Sequence, residues 1–186
     1  CTLEERIPLA KTLREKLQTE LVLLDGAFGT YIHSLGLADP DFGGHAGCME
    51  HLVLSKPELI SKVHSDYLQA GSDAVETDSF GASSLKLAEY GLADKAFELN
   101  REAAALARRE ADRFSTRSWP RYVVGTMGPT GKLPSSTDAA LGNIGYDELK
   151  KMFREQALGL LEGGADALLV ETGQDLLEMK AAANGA

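Results

Sequence analysis

Apolar positions along the chain fall into two alternating rhythms. Short continuous runs, Leu21-Val22-Leu23-Leu24, Ala74-Val75, Tyr122-Val123-Val124 and Ala167-Leu168-Leu169-Val170, read as buried strands. Between them lie longer stretches with a helical period. Ile60, Val63, His64, Tyr67 and Leu68 predict a helix over 57–70, behind the capping-box pattern Ser55-Lys56-Pro57-Glu58. Pro57 falls in its first turn, where a missing N–H does no harm. Ala93 to Arg113 is rich in Ala, Leu, Glu and Arg, which lose least on entering a helix. Leu149, Met152, Phe153, Gln156, Ala157, Leu160 and Leu161 mark an amphipathic helix, and a further helix begins at Leu176 and runs to Ala183. Thr2 to Glu5 repeats the capping-box pattern, so residues 1–20 are expected to form a short helical extension.

One unit occurs twice. Leu68-Gln69-Ala70-Gly71-Ser72-Asp73-Ala74-Val75-Glu76-Thr77 is echoed from Leu161 through Gly164, Asp166 and Val170 to Glu171-Thr172. Each copy runs from helix end to glycine stop, Asp, apolar strand and Glu-Thr, a helix-to-strand module of parallel α/β folds. Links entering strands are short, and links leaving them, 26–56 and 128–146, are long. Both barrels and open doubly wound sheets carry their working loops on that side. The pattern predicts four parallel strands near 21–25, 74–77, 122–127 and 167–172, in that spatial order, with helices outside. An eight-fold barrel needs about 250 residues. Four units in 186 residues therefore predict the N-terminal half of a (β/α)8 TIM-type barrel over residues 21–186. The start at Cys1 and the end at Asn184-Gly185-Ala186, inside a helix, read as cut.

Composition narrows the partners. Lys plus Arg total 19 against 28 for Asp plus Glu, a net charge of -9 with no basic run, which excludes a phosphate-backbone binder and so nucleic acid. No apolar run approaches the roughly 20 residues that span a bilayer, so no membrane role is expected. Two cysteines, Cys1 and Cys48, make no disulfide framework, which points to a reducing, cytoplasmic setting.

Carboxylates mark three strand ends: Asp25, Glu76 with Asp78, and Glu171. On a parallel sheet they would share one face, suited to a cation such as an amino-acid ammonium. Helix capping is the alternative, and the repeated Glu-Thr favours a site. His45-x-x-Cys48-x-x-His51 has zinc-type ligands at spacings unlike a finger, so it reads as a solvent-facing loop with incidental histidines. Gly128-Pro129-Thr130-Gly131-Lys132-Leu133-Pro134 lacks the earlier glycine and the Ser/Thr of a phosphate loop, and reads as a structured turn over the sheet's working end.

Leu24-Asp25-Gly26-Ala27-Phe28-Gly29-Thr30, Glu76-Thr77-Asp78-Ser79-Phe80-Gly81-Ala82-Ser83, Met127-Gly128-Pro129-Thr130-Gly131 and Val170-Glu171-Thr172 resemble, in that order, the motifs of the homocysteine S-methyltransferase family. The intervening Tyr90-Gly91-Leu92-Ala93-Asp94-Lys95 is most similar to the N-terminal homocysteine module of the cobalamin-dependent methionine synthases. The resemblance runs from about Leu21 to Ala183. It implies a (β/α)8 barrel that binds homocysteine as a thiolate on zinc. It also implies a methyl group from methylcobalamin, recharged by methyltetrahydrofolate on cobalamin and folate modules of the same protein. The substrate contacts it implies are Glu171 for the ammonium, Asp25 and Glu76 beside it, the N–H groups of Ala27, Phe28 and Gly29 for the carboxylate, and the Phe80 ring.

The family's zinc cysteines follow the sixth strand and lie near the last strand, and neither Cys1 nor Cys48 matches them. The expectation is a substrate half-site with no catalytic residue, metal ligand or cofactor of its own, and no activity alone. A branch using S-methylmethionine or betaine, and a non-catalytic α/β amino-acid-binding module, are the alternatives. Against betaine stand Gly81 after Phe80, and Trp119, which precedes the third strand and so falls at the opposite end.

Overall fold

A computed structural model describes residues 11–186. The Thr2–Glu5 capping pattern and Cys1 lie outside the described residues. The described part opens on α1 (Leu13–Thr19), where Thr12 and Glu15 form a reciprocal capping box: the Thr12 hydroxyl accepts from the Glu15 N–H at 3.2 Å and the Glu15 carboxylate from the Thr12 N–H at 2.7 Å. After α2 (Phe28–Ser34), short 3-10 turns at Asp39–Phe42 and Met49–His51 lead to α3 (Leu52–Ser55) and α4 (Pro57–Ala70). Then follow β1 (Ala74–Glu76), α5 (Ser84–Leu87), α6 (Ala96–Phe114), β2 (Tyr122–Met127), α7 (Tyr146–Gly163), β3 (Ala167–Val170) and α8 (Leu176–Gly185). None of the described helices is long and apolar enough to cross a membrane.

The three strands pair in parallel in the order β1-β2-β3, with Ala74 opposite Tyr122 and Val124 opposite Ala167. Alternation sends Val75, Val123 and Leu168 toward the helices, where Leu68, Ala107, Ala111 and Leu160 meet them. Ala74, Tyr122, Val124, Ala167 and Leu169 form the other face, against Leu13 of α1. The helices end where the repeat predicts, at Gly71 (φ +117°) and Gly164 (φ +105°), left-handed positions that suit glycine.

Two sequence expectations need correction. The first predicted strand, 21–25, reduces to a single parallel bridge, Leu24 to Ala74, and it is not buried: Leu21 is 95% exposed and Leu23 61%. The segment has β1 on one edge and no strand on its other edge among the described residues, and of its apolar side chains Val22 packs against the sheet. The capping box at Ser55–Glu58 does not form. Ser55 is the last residue of α3, the cap of α4 is Lys56 without a side-chain bond, and the Ser55 hydroxyl has no partner among the described residues. A residue already in helical conformation cannot take the extended backbone of an N-cap.

The aspartate of the repeated unit has a structural task in both copies. Asp73 Oδ2 accepts the Leu23 N–H at 3.0 Å, and Asp166 Oδ2 accepts the Val123 N–H at 2.8 Å. Each thus ties the start of its own strand to the start of the preceding one. Each also pairs with a cation, Lys16 at 2.6 Å and Arg108 at 2.7 Å, whose side chains are 8% exposed. Removing the carboxylate from such a poorly solvated pair is costly. Asp166→Ala is expected to lower unfolding free energy by about 3 kcal/mol in chemical denaturation. Lys95→Ala, which breaks an exposed pair with Glu98, is expected to change it by less than about 0.5 kcal/mol. Equal effects would refute the role assigned to Asp166.

Candidate functional site

The C-terminal ends of the strands open into a cleft of about 370 Å³. It is lined by Asp25, Gly26, Ala27, Phe28 and Gly29 from the first loop, and by Glu76, Thr77, Asp78 and Phe80 from β1 onward. Met49, Glu50, Thr126 and Glu171 complete it. All seven residues expected to contact a substrate (Asp25, Ala27, Phe28, Gly29, Glu76, Phe80 and Glu171) meet in this one cleft, together with Asp78.

Strand alternation and backbone bonds set the positions. Glu76 lies two residues beyond Ala74, on the face turned away from the helices, and Glu171 likewise follows Leu169. Both Asp25 oxygens accept the Glu76 N–H at 3.1 Å, which locks the first loop onto the end of β1. Below Phe80 the backbone is pinned by Ser79, whose hydroxyl donates to the Thr126 carbonyl at 2.7 Å and whose carbonyl accepts from Gln156 Nε2 at 2.9 Å. The Phe80 carbonyl accepts the Gly128 N–H at 3.0 Å, and a Cβ at Gly128 would sit 2.7 Å from that oxygen. The Phe80 ring, 43% exposed, forms part of the rim.

Among the described residues the cleft holds five carboxylates and no Lys, Arg or His. Burial pushes the Asp25 carboxyl up to about 7, with the neighbouring Glu76 charge adding to it against the Glu76 N–H bond. Glu76 is raised by burial and then by the Glu171 charge. Asp78, 7% exposed, is raised well above the usual carboxylate range by burial and then by Glu50. Such a cleft is short of positive charge, and a bound ammonium would relieve that.

Sequence reading missed Met49, Glu50 and Thr126. Glu50 Oε1 accepts the Gly81 N–H at 2.8 Å, which clamps the 43–51 loop to the loop after β1, and a Cβ at Gly81 would collide with that oxygen. No periodicity or strand-end position marks Glu50. Thr126 was legible: it occupies in β2 the face that Glu76 occupies in β1.

The His45–His51 segment is solvent-facing only in part, at Ala46 and Gly47. Cys48 is fully buried, with its thiol pushed up to about 12 by burial and then by Glu50. The histidine rings meet edge to face at 4.6 Å, and their Nδ1 atoms bond the carbonyls of Tyr90 (3.1 Å) and Phe42 (2.9 Å). These contacts fold the loop against the core. Among the described residues no group of three or more His, Cys, Asp or Glu side chains could hold a metal ion, so the side chains present do not fit a zinc centre. The Gly128–Pro134 segment is a structured turn, with Gly131 at φ +80° and the Thr130 N–H bonded to buried Glu178 at 2.8 Å. Trp119 lies at the other end of the sheet, where its Nε1 donates to Asp73 at 2.8 Å.

A family model described as homocysteine S-methyltransferase matches residues 22–186. The methionine synthase of Mycobacterium tuberculosis is 42% identical over 173 residues, and that of Mycobacterium leprae 43%. The match covers 93% of this chain but only 14% of either protein. Among solved structures, the homocysteine methyltransferase MmuM from Escherichia coli, oxidized form, superposes with a TM-score of 0.72 at 26% identity. That match covers 91% of this chain and 59% of MmuM, and the metallated form of MmuM gives the same score over 60% of its chain.

The raised Asp25 carboxyl sets a pH dependence. Its folded value of about 7 lies above the ordinary 3.8, so between about pH 4 and 7 the folded protein keeps a proton that the unfolded chain has released. Stability contributed at this site therefore falls as pH rises through that window. Asp25→Asn is expected to gain stability over the native chain by about 3 kcal/mol on going from pH 4.5 to 7.5. Urea denaturation at the two pH values checks this, and a pH-independent difference would refute it.

Proposed function

The chain belongs to the homocysteine S-methyltransferase family, and we propose that its acidic cleft seats homocysteine for methylation to methionine, as the N-terminal part of a methionine synthase. The observation that carries this reading is the convergence of Asp25, Glu76 and Glu171 on a cleft without a basic residue. An ammonium placed against Glu171, with Glu76 and Asp25 beside it, would be held by charge-assisted bonds. The substrate's carboxylate would face the N–H groups of Ala27, Phe28 and Gly29, and the Phe80 ring would cover its side chain.

The same reading makes segment 21–25 and β1 to β3 the first four strands of a (β/α)8 barrel. The half-barrel then spans 21–186, with α1 standing ahead of it, and works in the cytoplasm. The 0.72 superposition on MmuM, across a three-stranded parallel sheet, supports the barrel. The zinc that would hold the homocysteine sulfur belongs, on this view, to residues other than those described, and the 186-residue chain alone does not methylate. Methylcobalamin as methyl source, with cobalamin and folate modules in the same protein, is favoured by the much longer methionine synthases that the chain resembles. Betaine is disfavoured, because among the described residues Phe28 and Phe80 are the only aromatic ones lining the cleft.

Calorimetric titration of the full-length protein with L-homocysteine tests the substrate, and turnover with methylcobalamin, S-methylmethionine or betaine tests the donor. Glu171→Gln is expected to weaken homocysteine binding about 10- to 100-fold, the range of one lost charge-assisted bond. Unchanged affinity in that variant, or no binding to the native protein, would overturn the assignment.

A further inference from the structure

His64 is buried in an unusual way. It sits on α4, fully excluded from solvent, and neither ring nitrogen has a hydrogen-bond partner among the described residues. Its ring packs beneath Phe28, with centroids 5.4 Å apart and planes tilted by 46°. One helical turn further on, Tyr67 lies 3.3 Å from where a Cβ on Gly26 would stand. Two successive turns of α4 thus support the 26–28 turn from below.

A neutral imidazole always carries one N–H and one acceptor nitrogen, and burial, which pushes this ring down to about 4, keeps it neutral near pH 7. Leaving both nitrogens unpaired in a dry interior is unfavourable, and an apolar side chain of similar size would serve the packing better. The geometry of the peptide unit suggests what the N–H is for. In a planar trans peptide the N–H and C=O point in opposite directions. If the N–H groups of residues 27–29 turn into the cleft toward a carboxylate, the carbonyls of residues 26–28 turn out of it. That of Ala27 already accepts the Tyr31 N–H within α2, to which Phe28 also belongs, so the Gly26 carbonyl, on the residue that faces Tyr67 of α4, is the acceptor left.

We propose that His64 is a positioning residue whose ring N–H bonds the Gly26 carbonyl when a substrate carboxylate is seated on the other side of the 26–28 turn. The unpaired imidazole of the empty protein and the satisfied imidazole of the complex then differ by one buried hydrogen bond, which adds to substrate affinity without touching the substrate. This rests on the homocysteine reading above.

The test compares His64→Leu and His64→Asn with the native full-length protein by melting temperature, calorimetric homocysteine affinity, KM and kcat. His64→Leu is expected to melt at or above the native temperature, yet to bind homocysteine about tenfold more weakly, with KM raised alike and kcat unchanged. His64→Asn, which keeps an N–H donor, is expected to regain part of the affinity while melting lower. Native affinity in His64→Leu would overturn the proposal. A lowered melting temperature with affinity lost equally in both variants would also overturn it, by reducing His64 to packing. Absence of homocysteine binding to the native protein would instead overturn the substrate reading, and His64 with it.

Discussion

Carboxylate-to-backbone bonds between neighbouring strands are the constraint on which the rest of the site depends. Asp73 and Asp166 tie strand starts at one end of the sheet, and Asp25 ties the first loop to the Glu76 N–H at the other. A parallel strand of three or four residues offers few ladder bonds of its own. Side-chain acceptors at its two ends therefore fix register where the ladder is too short to do so. The cleft inherits its geometry from that register, because a shift by one residue would turn Glu76 and Glu171 to the helix face.

The two ends differ in how the carboxylates are compensated. At the strand starts, Asp73 meets Lys16 and Trp119, and Asp166 meets Arg108, so charge and hydrogen bonds are matched. At the strand ends no lysine, arginine or histidine lines the cleft, and Asp25, Glu76 and Asp78 are all raised. One fold thus uses the same residue type for stability at one end and holds it under electrostatic stress at the other. The asymmetry between helix-to-strand and strand-to-helix links has the same origin: short links leave room only for latches, and long ones can build a cleft.

Much of this was legible in the sequence. The repeat from Leu68 to Thr77 and from Leu161 to Thr172 located two strands, two glycine caps and two site carboxylates, because each feature answers to a local rule of backbone conformation or period. Three features were not legible. The exposure of Leu21 and Leu23 depends on what lies beside the segment, which a run of apolar residues does not encode. Ser55 fails as a cap because α3 ends on it, and a four-residue helix has too short a period to be seen. Glu50 reaches Gly81 across a loop whose folding rests on Cys48 burial and on histidine-to-carbonyl bonds, contacts with no sequence rhythm.

The stressed end of the sheet also bears on what can bind there. A free anion would meet five carboxylates and no cation. A simple cation would satisfy the acids but leave the N–H groups of the 27–29 turn without a partner. A zwitterion of amino-acid type answers both demands at once, provided its two charged groups are separated by about the distance from the carboxylates to the turn. That distance is set by the bond between Asp25 and the Glu76 N–H, since the turn begins one residue after Asp25. On the proposed reading, the latch that fixes strand register would also set the spacing at which an α-amino acid could be held. The half-exposed Phe80 ring and Met49 add the apolar part of the same lining.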